Sequence, residues 1–78
     1  MDKLKDFRTG DSGTVIGFAE NAGAWKSRLL SLGMTKGTSF KITNVAPLGD
    51  PVEVTVRGSR ITLRKGEAEA LLVERSKK

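Results

Sequence analysis

Fourteen Lys and Arg and nine Asp and Glu supply nearly all the charged chemistry of this chain, which has no histidine and no cysteine. Transition-metal sites draw on imidazole, thiolate and carboxylate, and only the last is present. Two carboxylate pairs stand at short spacing near the ends of the chain, Asp2 with Asp6 and Glu67 with Glu69. Asp2 and Asp6 fall in an N-terminal arm. Glu67 and Glu69 are two apart, a spacing that points side chains away from each other on a helix. All four read as solvated surface carboxylates, so neither a metal site nor a cofactor is expected. Catalysis lacks its usual groups as well. There is no His for general base work, no Cys, and no Ser in a nucleophile-elbow context. Nine glycines form no phosphate-loop pattern; Gly10, Gly13 and Gly17 are spaced as turn and bulge glycines. The expectation is a chain with no catalytic residues, and not an enzyme.

What remains is binding, through three features. Pro47 and Leu48 sit in a loop, Ala46 to Pro51, that two prolines stiffen; preordered loops lose less entropy on binding. Leu48 lies between Pro47 and Gly49, and is either exposed and available or a plug closing one end of a barrel. Trp25 and Leu30 belong to the one good helical segment. Trp is favoured at interface centres, although at helical spacing in a small domain it is more often core. Arg57 and Arg60 flank a hairpin tip, a point of positive charge for an acidic partner.

The elements that position these residues follow from local patterning. Leu4 and Phe7, three apart in a short N-terminal arm, could lay an apolar face on the domain. Asp11-Ser12-Gly13 reads as a turn and Gly13 to Ala19 as a first strand, with Gly17 marking a bulge or a close backbone approach. Asn21 to Leu32 reads as a helix whose face carries Ala22, Trp25, Leu29 and Leu32. Gly33 closes it in the left-handed conformation, with Met34 folding back over Leu29. Thr35-Lys36-Gly37-Thr38 is a tight turn. Phe40 and Ile42 alternate with polar residues on the next strand. Val52 to Arg57 and Arg60 to Lys65 form a hairpin about Gly58-Ser59 in a type II′ turn. That register opposes Val56 to Ile61, Val54 to Leu63, Thr55 to Thr62, Glu53 to Arg64 and Arg57 to Arg60. Gly66 to Ala70 is one turn of helix and Leu71 to Glu74 a closing strand. Five antiparallel strands with one inserted helix make an all-β chain, a small barrel whose closure removes exposed edges. Its core collects Val15, Leu29, Leu32, Phe40, Ile42, Val54, Val56, Ile61, Leu63, Leu71 and Val73.

Seventy-eight residues suit one domain. We divide them into an arm (1–12), a barrel domain (13–74) and a basic tail (75–78). The net charge of +5 is concentrated in that tail: residues 1–74 hold 11 Lys and Arg against 9 Asp and Glu. The tail is expected to fray. With three Phe, one Trp and no Tyr, the chain lacks the basic, aromatic-laced stripe of a nucleic-acid groove. No apolar run approaches the length of a transmembrane helix, and MDKLKDFRTGD lacks the apolar segment of a signal peptide. A cytoplasmic protein is the expectation.

The segments LLSLGM, KGTSF and above all VAPLGDP, followed by VEVTVRG and ITLRKGEAEALLVE, resemble the FeoA family, the small cytoplasmic component of bacterial ferrous iron uptake. The resemblance runs from about Gly13 to Glu74. It implies an SH3-like β-barrel that partners the large membrane transporter FeoB, and through it a place peripheral to the inner membrane. Iron transport and transition-metal binding come with the family; the latter finds little support in the residues. FeoB carries a GTP-binding domain, so Arg28, Arg57, Arg60 and Arg64 are conceivable donors to nucleotide hydrolysis, with nothing to mark one out. Two alternatives accompany the reading, a small-barrel nucleic-acid binder and a stand-alone regulatory domain like those of metal-dependent repressors. Self-association is left open.

Overall fold

The computed structural model describes residues 3–76; Asp2, Lys77 and Lys78, which figured in the expectations above, lie outside them. Five antiparallel strands form one curled sheet in the order β4-β3-β2-β1-β5. They are β1 (Ser12–Phe18), β2 (Ser39–Val45), β3 (Val52–Val56), β4 (Ser59–Leu63) and β5 (Leu71–Arg75). The helix α1 (Ala24–Ser31) lies between β1 and β2, and α2 (Lys65–Ala70) between β4 and β5. The turn of helix expected over Gly66 to Ala70 is α2. The barrel closes differently from the expectation: β4 and β5 are the edges of the sheet, and α2 joins them where a ladder was anticipated.

The inward faces of all five strands meet in one core. Val15, Leu29, Phe40, Ile42, Val54, Val56, Leu63, Leu71 and Val73 are buried there, as anticipated, with Leu32 and Ile61 partly buried against them. The core also takes Leu4, Phe7, Ala22, Met34, Val52, Ala68 and Ala70. Each large aliphatic withdrawn from water contributes about 1.5–3 kcal/mol. Leu4 and Phe7 do lay an apolar face on the barrel, from a 3-10 turn at Leu4–Asp6. The Phe7 ring meets Phe40 with centroids 5.6 Å apart.

The start of α1 is corrected by three residues. The expected Asn21 to Leu32 helix begins at Ala24, because Gly23 takes φ +53° and stands outside it. Its other end follows the sequence. Gly33 has φ +90°, the Met34 N–H donates to the Leu29 carbonyl at 3.0 Å, and the Gly33 N–H to that of Leu30 at 3.1 Å. This doubly bonded cap satisfies carbonyls a helix end otherwise leaves free. Met34 is fully buried in the cluster that holds Leu29. Gly33→Val is expected to lower stability by about 1–3 kcal/mol, since a β-branched residue resists positive φ. A chemical denaturation midpoint equal to wild type would contradict this account of the cap.

The bulge in β1 is present: its register with β5 shifts between Val15 and Gly17. A second shift, between Ile42 and Asn44 in β2, carries no glycine and was not anticipated. The hairpin is also corrected. Val52 pairs with Leu63, Val54 with Ile61, Glu53 with Thr62, Thr55 with Arg60 and Val56 with Ser59. The loop is Arg57-Gly58 rather than Gly58-Ser59, and both residues have positive φ, +52° and +82°. Positive φ at both central positions defines a type I′ turn, whose twist suits the flanking strands. The slide moves the pairing by two residues in sum, so the apolar face is conserved. The opposition of Arg57 to Arg60 and the pairing of Glu53 with Arg64 disappear.

Arg75 is no part of a frayed tail. It ends β5, and its Nη1 donates to Asp11 Oδ2 at 2.6 Å. Its Nη2 donates to the Asp6 carbonyl at 2.9 Å, and its guanidinium lies 4.5 Å from the Phe7 ring centroid. The last strand and the N-terminal arm are thereby fastened together.

Candidate functional site

Pro47, Leu48 and Gly49 follow β2 in a tight turn, closed by the Gly49 N–H donating to the Ala46 carbonyl at 2.7 Å. Gly49 has φ +85°, and the Ala46 N–H donates to the Pro51 carbonyl at 3.1 Å. The loop is thus tied at its neck by backbone alone, and the Leu48 side chain takes no part in holding it. Leu48 is 95% exposed. Of its two readings, the plug is excluded and the available apolar side chain remains.

Trp25 is not core. It is 43% exposed and Leu30 42%. Trp25 falls in the first turn of α1 and lies against α2. A Cβ on Gly66 would come within 2.7 Å of the Trp25 ring, so the indole rests directly on the α2 backbone.

Trp25 and Leu48 line the same cleft, of about 630 Å³. Between them lie buried Leu4, Val52, Ala68 and Ala70. Lys3, Lys5 and Lys65 also line it, with Asp50 and Glu69. The cleft thus joins an apolar floor to charged walls, and concave sites that combine apolar surface with placed polar groups are the usual form of a binding site. Pro47 is exposed beside the cleft without lining it. Leu30 and the hairpin-tip residues Arg57 and Arg60 are exposed but stand apart from it. The sequence reading thus named two residues of this cleft, which it had treated as separate features, and four that the fold leaves outside.

Glu67 corrects the reading of the surface carboxylates. It is 1% exposed. Its Oε1 accepts from the Arg64 N–H at 2.9 Å, and its Oε2 pairs with Arg28 Nε. Arg64 occupies the position before α2, so Glu67 caps the helix from its third residue. The same carboxylate ties α2 to α1 through Arg28, whose side chain remains largely exposed. This arrangement fixes the wall on which Trp25 rests. It also commits Arg28. The signal for it was the three-residue spacing of Glu67 from the helix start, obscured because Arg64 is not a usual capping residue. Nothing in the sequence marked Lys3 and Lys5 as neighbours of Trp25, since the arm reaches the cleft only through the fold. Among the described residues, no group of three His, Cys, Asp or Glu side chains gathers where it could hold a metal ion. No helix among them is long and apolar enough to cross a membrane.

A five-stranded SH3-like barrel, with an exposed leucine loop and a half-exposed tryptophan lining one cleft, is the class of domain this chain forms. Residues 3–75 match the FeoA domain family, and the chain belongs to that family, which is associated with ferrous iron transport. A FeoA-like protein of Clostridium acetobutylicum has the same fold, with TM-score 0.85 and 31% identity over 100% of this chain and 93% of that one. Stenotrophomonas maltophilia FeoA, solved in complex with zinc and described as a prokaryotic SH3 domain protein, matches with TM-score 0.78 and 28% identity. That match covers 95% of this chain and 91% of the other. Among curated relatives, a fusion of Fe(2+) transport protein A with the Fe(2+) transporter FeoB, from Porphyromonas gingivalis, is 29% identical over 72 residues. Those residues are 92% of this chain and 8% of the fusion protein, so the chain spans a small part of that relative.

Proposed function

We propose that this chain is a non-enzymatic accessory protein of bacterial ferrous iron uptake, and that it binds the cytosolic region of a FeoB-type transporter and modulates transport. The observation that carries the reading is the fusion of a related domain to FeoB in one polypeptide. Fusion raises the effective concentration of two parts that work together. The contact we assign is the Leu48 loop with Trp25 and the neighbouring Pro47; Leu30, Arg57 and Arg60 form its outlying parts. In this reading the protein works in the cytoplasm, held near the inner membrane by its partner, and ferrous iron is the cargo of that partner. Arginine donation to nucleotide hydrolysis is not part of it: Arg28 is bound to Glu67, and nothing distinguishes the remaining arginines.

The test is capture of the cognate transporter from detergent-solubilised membranes, with melting followed by circular dichroism beside it. Leu48→Asp is expected to leave the melting temperature near wild type, because the loop is held without that side chain. Placing a charge in an apolar contact is expected to abolish capture. Arg57→Glu is expected to weaken capture less, with a loss that shrinks at high salt. Wild-type capture and melting in Leu48→Asp would remove the loop from the interface and move it to the α1 face around Leu30. Failure of the wild-type protein to capture the transporter would overturn the reading.

A further inference from the structure

We infer that the cleft between Trp25 and Leu48 takes an acidic peptide segment carrying an apolar anchor. This deepens the reading above by naming the chemistry of the partner's docking segment. Three lysines, Lys3, Lys5 and Lys65, line the cleft, and none of them is in an ion pair among the described residues. The two carboxylates on its wall, Asp50 and Glu69, are likewise unpaired. Glu69 stands four residues after Lys65 on α2, a spacing that permits pairing on a helix, yet the two make none. The wall therefore keeps a positive balance with its cations uncommitted. The apolar side is equally uncommitted: Leu48 is 95% exposed, and Trp25 shows 43% of its surface over a floor that includes Ala68 and Leu4.

A cleft of this kind asks for two things at once. An apolar side chain must cover Leu48 and the open part of the indole, and carboxylates must meet the lysines. A short acidic segment around a leucine or phenylalanine provides both. A phosphate backbone supplies the charge without the apolar anchor that Leu48 and the open part of the indole call for.

Trp25 is the only tryptophan, so its fluorescence reports on the cleft directly. The probes are three synthetic peptides sharing a Leu-Phe centre, flanked by Asp and Glu, by Asn and Gln, or by Lys. At low salt the acidic peptide is expected to shift Trp25 emission and to bind at least about tenfold tighter than the neutral one. The triple variant Lys3→Gln, Lys5→Gln, Lys65→Gln, melting like wild type, is expected to lose that preference. Equal affinity for acidic and neutral peptides would overturn the inference, as would a preference that survives in the triple variant. So would lysine-dependent binding of a random single-stranded DNA or of phosphatidylserine vesicles without binding of the acidic peptide. Transporter capture that persists while the acidic preference fails would leave the accessory reading standing and remove this inference alone. An acidic preference that holds while capture fails would do the reverse.

Discussion

Gly13→Val is expected to abolish cooperative folding, and Gly13→Ala to lower the melting temperature steeply. Gly13 lies in β1, paired with Phe40 on one side and Arg75 on the other. A Cβ there would come within 2.7 Å of the Glu74 carbonyl oxygen and 2.9 Å of both the Phe40 and Phe7 rings. The oxygen is backbone, held in the β1–β5 ladder one pair from its end, and cannot retreat without disturbing those pairs. The rings are packed on each other and on the core, so neither has a free direction. Overpacking of this kind costs about 1–3 kcal/mol for one added carbon, roughly 5–20 °C in a domain of this size. Valine adds two more carbons to the same space. Thermal melts of both variants provide the check. A Gly13→Ala protein that melts with wild type would show that the N-terminal arm yields easily, and that Phe7 is not a fixed part of the core.

Leu63→Ala is expected to lower stability by about 2–5 kcal/mol. Leu63 is fully buried in β4, opposite Val52 and at the start of the passage into α2. Little around it is free to collapse into the space. Domains of this length have a total margin of about 5–15 kcal/mol, so the loss would consume much of it. Urea unfolding should show a lower midpoint with an unchanged slope. A loss under 1 kcal/mol would mean that α2 settles into the vacated space, and that the wall beneath Trp25 is softer than described.

The parts of the fold legible in the sequence are those governed by neighbours in the chain. Gly33 with Met34, Thr35 to Thr38, and the alternation through Phe40 and Ile42 each encode a local device, and each is found in place. The hairpin tip misled because Gly58 satisfies two turns. Read as the first central residue it gives a type II′ turn; the chain instead places Arg57 first, at positive φ, and Gly58 second. A non-glycine residue in that conformation leaves no mark in a pattern of apolar residues. Trp25 misled because its spacing from Leu29 gives a helix face but not what lies beside the first turn of that helix, which is α2, a later segment of the chain. Glu67 misled because a carboxylate is buried only when partners come to it, and one of its partners, Arg28, lies on another helix. The cleft needed the whole fold. Its walls come from the arm, α1, the Leu48 loop and α2, segments that local spacing cannot relate.

The clasp made by Arg75 bears on how such a domain is joined to other proteins. One guanidinium touches Asp6, Phe7 and Asp11 near one end of the chain from the final strand at the other. The segment from Asp6 to Asp11 and the end of β5 therefore lie side by side, the arrangement expected of a domain that can be moved as a cassette. Inserted into a surface loop of a host protein, it would need little linker on either side, because the gap it must bridge is already closed by its own side chain. Added at one end of a larger chain, it would hang from a single point while its five strands stayed paired. Circular permutation should be tolerated for the same reason: a short bridge between the arm and β5 would replace one arginine's hold with a covalent one, and new ends could open at the Arg57-Gly58 turn, far along the sheet from the junction.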